Sequence, residues 1–194
     1  MKQNLPVMKK SIHLFGLLLS LTILTTSAQS QEKTVMVGGA AMYSTKNIVE
    51  NAVNSKDHTT LIAAVKAAGL VETLKTDGPF TVFAPTNAAF EMLPEGTVET
   101  LLKPENKSTL TAILTYHVVA GKIDGATLLS LIKKNNGTYT AKTVQGGELK
   151  FSVDKNNNIW LWDEKGGKAQ ITIRDVHQKN GVIHVIDAVV LPKM

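Results

Sequence analysis

The sequence predicts an α+β protein with helices in its first part and antiparallel strands in its last part. Three observations predict this class: apolar residues recur every three or four positions in the segments up to residue 132, they alternate with polar residues from Thr138 onward, and Asn180-Gly181 offers a hairpin turn. Helices followed by a run of antiparallel strands are typical of α+β proteins rather than of a parallel α/β sheet.

The first 28 residues have the pattern of a secretory signal peptide. Lys9-Lys10 precedes an apolar stretch at residues 12–24, and small residues then offer a cleavage site after Ala28. The apolar stretch is shorter than the roughly 20 residues that span a bilayer, so a retained membrane anchor is the weaker interpretation. No comparable apolar run follows, so no transmembrane segment is expected in the mature chain.

Residues 29–43 contain small residues and Gly38-Gly39 without clear periodicity, which predicts an extended or loosely attached leader. Residues 44–192 are expected to form one domain, because a chain of this length can bury a core of its own without covalent cross-links. No internal repeat divides this segment.

The elements of the domain are predicted from apolar spacing and from cap and turn residues. Two helices open the domain; Ser44 or Thr45 caps the first, and Gly69 ends the second. A strand at residues 80–84 leads through Pro85-Thr86-Asn87 into a third helix. The remaining predicted elements are helices at 94–102 and 104–114, a strand at 115–122, a helix at 124–132 with Asp124 as its N-cap, and strands at 148–153, 159–162, 169–174 and within 180–192.

Composition excludes several classes of function. The chain has 21 lysines and arginines against 16 acidic residues, and three of the lysines lie in the signal peptide. Arg174 is the only arginine and the lysines are scattered, so no concentrated basic face is available for nucleic acid. The absence of cysteine excludes disulfides, thiolate metal sites and a cysteine nucleophile. These features fit a bacterial protein that is secreted or periplasmic.

Enzyme signatures are absent from the sequence. There is no G-x-S-x-G elbow, no glycine-rich phosphate loop and no H-E-x-x-H motif. The segment that begins at Asp154 resembles a calcium loop at first, but Ile159 and Lys165 stand where glycine and glutamate are needed, so a polar hairpin turn is predicted. No enzyme activity, cofactor or metal is therefore predicted, and a hydrolase without a local signature is the remote alternative.

His184 and Asp187 interrupt the apolar run of the last strand, either for chemistry or to hold the fold together. Side chains alternate along a strand, so these two point to opposite faces and do not form a catalytic dyad. A two-residue turn at Asn180-Gly181 sets Arg174 opposite Asp187. We therefore expect an ion pair or close contact between the only arginine and a buried aspartate.

The same turn sets His177 opposite His184, whereas a four-residue loop sets Asp175 there instead. In either register these three residues share one face of the sheet. Two imidazoles and a carboxylate could bind zinc or a similar metal. A His–Asp contact is also an ordinary way to satisfy a buried imidazole, so structural pairing is the favoured interpretation.

Trp160 and Trp162 are the most prominent apolar residues predicted on an outer face. If Leu149, Phe151 and Val153 face inward, both tryptophans lie beside Lys150 and Ser152 on the other side of the hairpin. Two outward indoles could stack on a sugar ring or grip an apolar ligand. The alternative is that a helix or the leader covers them.

Three ordered stretches closely resemble the signatures of the fasciclin domain: TVFAPTNAAF at 81–90, TYHVV at 115–119 and NGVIHVIDAVVLP at 180–192. The resemblance covers residues 44–192. It implies a β-sandwich or wedge flanked by several short helices, as in extracellular adhesion and matrix proteins and in small secreted bacterial proteins, which are generally not enzymes.

The resemblance also implies a functional prediction. It points to a non-catalytic adhesion or interaction module, extracellular or periplasmic, that binds a cell-surface or matrix protein or a glycan. The alternative is a carrier of an apolar small molecule such as a carotenoid or lipid. Tyr116-His117 matches the tyrosine-histidine motif to which the family owes its proposed role in integrin binding. From the residues alone, the alternative is that one of these rings fills the core while its polar atom bonds neighbouring backbone.

Overall fold

A seven-stranded sheet forms the centre of the protein in a computed structural model that describes residues 34–193. The predicted signal peptide and the first residues of the predicted leader lie outside the described residues. The strands are β1 (Val35–Val37), β2 (Ala40–Met42), β3 (Phe80–Pro85), β4 (Val118–Ala120), β5 (Thr138–Lys142), β6 (Glu148–Val153), β7 (Ile159–Trp162), β8 (Lys168–Gln178) and β9 (Gly181–Ile186). The helices are α1 (Ile48–Ala52), α2 (Thr59–Ala68), α3 (Val71–Lys75), α4 (Asn87–Glu91), α5 (Thr97–Leu101), α6 (Lys107–Tyr116) and α7 (Gly125–Lys134), with 3₁₀ helices at Lys56–His58 and Pro104–Asn106.

The sheet has the strand order β4-β3-β9-β8-β7-β6-β5, and this mixture of sheet and short helices confirms the predicted α+β class. β3 and β9 are parallel, and the other neighbouring strands are antiparallel. An isolated bridge between Val119 and Thr143 joins the two ends of the sheet, so the sheet curls into a near-barrel. Among residues 34–193, no helix is long and apolar enough to cross a membrane.

Two hydrophobic cores lie against the sheet. The first joins α2 and α6 to β3, β8 and β9, with Leu61, Leu114 and Ile183 among its buried members. The second joins α7 to the alternating apolar residues of β5, β6 and β7, with Leu128 and Phe151 among its members. Every residue of β9 is buried, because the strand lies between β3 and β8 and is covered on both faces.

The N-terminal residues of the described chain belong to the domain, which differs from the predicted loose leader. β1 and β2 form a two-stranded hairpin, and Val37 and Met42 are buried in the first core. These strands have three residues each, so apolar alternation is too short to be recognised in the sequence. The cap of α1 also differs: Asn47, rather than Ser44 or Thr45, forms a capping box with Glu50.

Two further boundaries differ from the predicted ones. The predicted strand at 115–122 is shorter, because α6 continues to Tyr116 and only Val118–Ala120 is extended. The hairpin between β8 and β9 pairs Gln178 with Gly181, so the turn residues are Lys179 and Asn180 rather than Asn180 and Gly181. Gly181 is needed for close approach instead, since a side chain there would collide with the carbonyl oxygen of Phe80.

The side chain of Asn180 anchors this turn to two other parts of the chain. Its amide nitrogen donates hydrogen bonds to the carbonyl oxygens of Leu74 and Thr76, each at 2.8 Å, and its amide oxygen accepts one from the backbone of Ile48 at 3.0 Å. The side chain is buried, and it connects the β8–β9 turn to the beginning of α1 and the end of α3. The asparagine is therefore an internal tether as well as a turn residue.

Candidate functional site

His184 is a buried structural residue. It lies in the middle of β9 with 0% exposure, and its ring stacks on Phe83 with 5.7 Å between centroids. Its Nε2–H donates to the carbonyl of Ile123 at 2.9 Å, and its Nδ1 accepts a long hydrogen bond from the backbone of Asp175 at 3.4 Å. Burial lowers the pKa of His184, so the imidazole is neutral with both nitrogens engaged.

The predicted ion pair between Arg174 and Asp187 is wrong. Within residues 34–193, the only ion pair closer than 4.0 Å joins Lys75 and Glu72. The turn at Lys179-Asn180 and two bulges in β8 both shift the register, so that Gln170 rather than Arg174 lies opposite Asp187. Asp187 lies beyond the end of β9, where it is exposed and accepts a 2.7 Å hydrogen bond from the backbone of Gln170. The prediction assumed a turn at Asn180-Gly181, an unbroken ladder and a buried carboxylate, and the structure has none of these at this point.

Asp175 is the partner that the second register places near His184. It lies at a bulge with a positive φ of 64°, and its Oδ1 accepts a 2.6 Å hydrogen bond from the backbone of Gly125 at the start of α7. His177 pairs with Val182 further along the hairpin. Among the described residues, no group of three His, Cys, Asp or Glu side chains could hold a metal ion. Asp175 therefore connects the start of α7 to the sheet.

Tyr116 is fully buried, and its hydroxyl bridges two turns of the sheet. The hydroxyl donates to the carbonyl of Glu148 at 2.6 Å and accepts from the backbone of Glu164 at 3.2 Å. Burial, with a smaller contribution from the nearby carboxylates of Glu164 and Asp163, raises the pKa of Tyr116 to about 12. The ring belongs to the second core, so neither the ring nor the hydroxyl is presented to a partner.

His117 connects the end of α6 to the C-terminal segment. Its Nδ1–H donates to the carbonyl of Ile113 at 2.8 Å, and its Nε2 accepts from the backbone of Val190 at 3.2 Å. The residue is 3% exposed, and burial lowers its pKa to about 4. The tyrosine-histidine pair predicted as a binding site is thus an internal support in this chain.

The structure places the indoles of Trp160 and Trp162 on the outer face of β7, opposite the second core. Ser152 pairs with Trp160, and Lys150 pairs with Trp162, on the neighbouring strand β6. Trp162 is 37% exposed and Trp160 is half-buried. We define the tryptophan face as the outward side chains of Lys150, Ser152, Trp160, Trp162, Lys168 and Gln170.

Hydrogen bonds hold both indoles in place. The Nε1–H of Trp162 donates to Ser152 Oγ at 3.1 Å, and that of Trp160 donates to Asp154 Oδ2 at 3.1 Å. Asp154 also accepts bonds from Asn158, and these side-chain bonds from Asn158 and Trp160 lower the pKa of Asp154 to about 2. The turn predicted to be a polar hairpin rather than a calcium loop therefore uses its carboxylate to orient a tryptophan.

Cations lie over and beside these rings. Lys168 Nζ is 5.0 Å from the ring centroid of Trp160 and 5.6 Å from that of Trp162, within the range of cation–π attraction. Lys150 and Lys168 are the cross-strand neighbours of Trp162 on its two sides. The face thus combines aromatic surface with positive charge.

A polar cleft adjoins the tryptophan face and was not predicted. It has a volume of about 260 Å³, and Gln170 belongs to both the cleft and the face. Its polar lining comes from Asn156, Asn157, Asn158, Gln170, Thr172 and Arg174. The asparagines of the turn and the arginine at the bulge are far apart in the sequence, and folding brings them together at this cleft. The run Asn156–Asn158 beside Trp160 was nevertheless a signal in the sequence for a polar site.

An apolar cavity lies inside the first core. It has a volume of about 90 Å³, and its lining includes Val65, Leu114 and Ile183. A cavity of roughly 150 Å³ in another protein binds benzene. The cavity as it stands is therefore too small for a carotenoid or a lipid chain.

Comparisons with known proteins agree with this architecture. A family model of the fasciclin domain matches residues 56–192. Protein sll1483 of Synechocystis sp. is 47% identical over 173 residues, 89% of this chain and 88% of that protein. The cell surface glycolipoprotein MPB83 of Mycobacterium bovis is 31% identical over 188 residues, 87% of this chain and 77% of that protein. A solved FAS1 domain pair from the insect cell adhesion molecule fasciclin I aligns with a TM-score of 0.66 at 18% sequence identity. The alignment covers 75% of this chain and 51% of that chain, and it shows that the two share a fold.

Proposed function

The chain belongs to the fasciclin domain family, and on that basis we propose that it is a non-catalytic interaction module that acts in the periplasm or at the cell surface. It binds a protein or glycan partner, and the tryptophan face is its binding surface. One relative is named as a cell surface glycolipoprotein, and the structure with the shared fold comes from a cell adhesion molecule. The first name supports a location at the cell surface, and the second shows that an adhesion molecule uses the same fold.

The observation that carries the proposal is the orientation of Trp160 and Trp162. Large aromatic rings bury much area on binding and lose little entropy when they are already fixed, and hydrogen bonds fix both indoles here. By contrast, the buried polar side chains of Tyr116, His117 and His184 are all engaged within the fold. Surface recognition therefore fits the described residues better than catalysis does.

Adhesion assays with matched variants test this proposal. The purified protein is immobilised and its capture of intact cells or matrix is measured for the native chain, for the W160A/W162A variant and for Met92→Ala. Met92 is 72% exposed and lies elsewhere, in the segment that follows α4, so its removal controls for a general loss of surface hydrophobicity. We expect capture to fall at least about tenfold in W160A/W162A alone, as for a hot-spot pair. Unchanged capture by this variant would assign binding to another surface.

Fluorescence gives an independent readout of the same surface. The chain contains two tryptophans, so its indole emission reports on this face alone. Acrylamide should quench the emission of the free protein, and a bound partner should protect it. Emission that acrylamide does not reach in the free protein would contradict an accessible face.

The second candidate function is a carrier of an apolar molecule. The apolar lining of the internal cavity favours it, and the volume of about 90 Å³ limits it to a ligand that opens the core. Absorbance and mass spectrometry of the isolated protein test this possibility. A co-purifying pigment or lipid would support a carrier, and its absence would leave the surface function.

A further inference from the structure

The cations of the tryptophan face and of the adjoining cleft form no ion pair with the protein itself. Within the described part of the chain, neither Lys150 nor Lys168 nor Arg174 has a carboxylate within 4.0 Å. The nearby carboxylates of Asp154 and Asp187 instead accept hydrogen bonds, from Trp160 and Asn158 in the first case and from the backbone of Gln170 in the second. The three cations are thus available to an external anion.

The cations are also arranged around the aromatic rings. Lys150 on β6 and Lys168 on β8 are the direct cross-strand neighbours of Trp162 on β7, and paired strands are about 4.8 Å apart. Lys168 reaches over both rings. A planar apolar surface with a charge at its edge matches a sugar ring that carries a carboxylate.

The adjoining cleft extends this surface beyond Trp160. Its asparagines and Gln170 offer amide donors and acceptors, which match sugar hydroxyls. Arg174 lies at its border and is exposed, and a guanidinium can pair with a carboxylate through two parallel hydrogen bonds. The cleft and the face therefore offer stacking, hydroxyl recognition and anion pairing in one continuous strip.

Taking the proposed function of this face as the premise, we propose that its ligand is an acidic polysaccharide. Sugar rings stack on Trp160 and Trp162, and carboxylates of the polymer pair with Lys150, Lys168 and Arg174. A neutral glycan would leave these cations unused. The charge is modest and alternates with aromatic surface, which favours a polymer with both apolar ring faces and spaced carboxylates.

The experiment compares polygalacturonate with its methyl-esterified form, in which the same backbone has lost its charge. Titrations follow the emission of the two tryptophans at low and moderate salt. We expect the affinity for the acidic polymer to exceed that for the ester by about tenfold or more and to fall with added salt. K150Q/K168Q and Arg174→Gln should weaken binding of the acidic polymer alone. The W160A/W162A variant has no tryptophan emission, so its binding is measured by affinity electrophoresis, and it should be weaker for both polymers.

The control is K133Q/K134Q, which removes the same charge from the exposed end of α7, a helix that packs on the inner side of the sheet. It should bind the acidic polymer like the native chain, and equal melting temperatures should show that every variant folds. A loss in this control equal to that of K150Q/K168Q would mean that net charge alone drives binding and would overturn the inference.

The outcomes separate this inference from the proposed function. Equal binding of both polymers, lost in W160A/W162A, would overturn the acidic ligand and keep the binding face. If neither polymer binds while cell capture still depends on the tryptophans, the partner is a protein and the inference fails. Binding only to vesicles of equal parts phosphatidylglycerol and phosphatidylcholine would assign the face to a membrane surface. Tryptophan variants that behave like the native chain in every assay would overturn both.

Discussion

The substitution Tyr116→Phe tests whether the tyrosine of the tyrosine-histidine pair supports the fold or meets a partner. It removes one oxygen that makes two hydrogen bonds to backbone groups, at 2.6 Å to Glu148 and 3.2 Å to Glu164. A typical hydrogen bond contributes a net of about 1 kcal/mol, so the expected loss is about 2 kcal/mol in the free energy of unfolding. For a domain of this size, that corresponds to a fall of about 4–8 °C in Tm.

The assay is urea unfolding followed by far-UV circular dichroism, with the midpoint and the m-value fitted separately. The control is Tyr139→Phe, which removes the same atom from a half-buried ring that stacks on Phe151, and it should change stability by less than about 0.5 kcal/mol. Both variants should capture cells like the native chain at a temperature where both are folded. A Tyr116→Phe variant that unfolds like the native chain but loses capture would refute the structural role.

Other predictions concern charge and the tether at the turn. Burial lowers the pKa of His117 from 6.5 to about 4, so the unfolded chain binds more protons than the folded chain between these pH values. The free energy of unfolding should therefore rise with pH through this window, by about 3 kcal/mol for this group. Urea unfolding at pH 4, 5.5 and 7 measures this rise, and a free energy of unfolding that does not change with pH would contradict it. Asn180→Ala removes three hydrogen bonds and should cost about 3 kcal/mol in unfolding free energy, whereas a cost below about 1 kcal/mol would mean that water replaces them. Arg174→Ala should leave the unfolding free energy within about 0.5 kcal/mol, and a larger loss would point to a pairing with Asp187 in solution.

Much of the fold could be predicted because its signals are local. Gly69 adopts a φ of 75° after α2, and Asp124 caps α7 through a 2.8 Å bond to the backbone of Thr127, both as cap preferences predict. The alternation of Leu149 and Phe151 with polar residues likewise identified the inner face of β6, and through it the outward tryptophans. Each of these signals spans a few residues and needs no knowledge of the rest of the chain.

The features that could not be predicted depend on residues far apart in the sequence or on irregular backbone. The bulges of β8 place Asp175 in the left-handed region, where glycine is favoured and aspartate gives only a weak signal. The shifted turn and those bulges together separate Arg174 from Asp187, and no rule of strand alternation predicts either of them. The parallel pairing of β3 with β9 could not be predicted either, because an alternating pattern identifies a strand but does not indicate which strand pairs with it.

The bulges also bear on function, because they produce the border of the proposed binding strip. With the turn at Lys179-Asn180, a regular ladder would already set Thr172 rather than Arg174 opposite Asp187, and the bulges shift the register by two further residues, to Gln170. In the structure the bulge turns Asp175 toward the start of α7 and leaves the arginine at the cleft beside Gln170. The bulge thus connects α7 to the sheet through Asp175, and the only arginine of the chain has no carboxylate within 4.0 Å among the described residues, so it is available to an external anion. If Arg174→Gln weakens binding and Arg174→Ala leaves the free energy of unfolding unchanged, then Arg174 serves binding alone and Asp175 serves the attachment of α7.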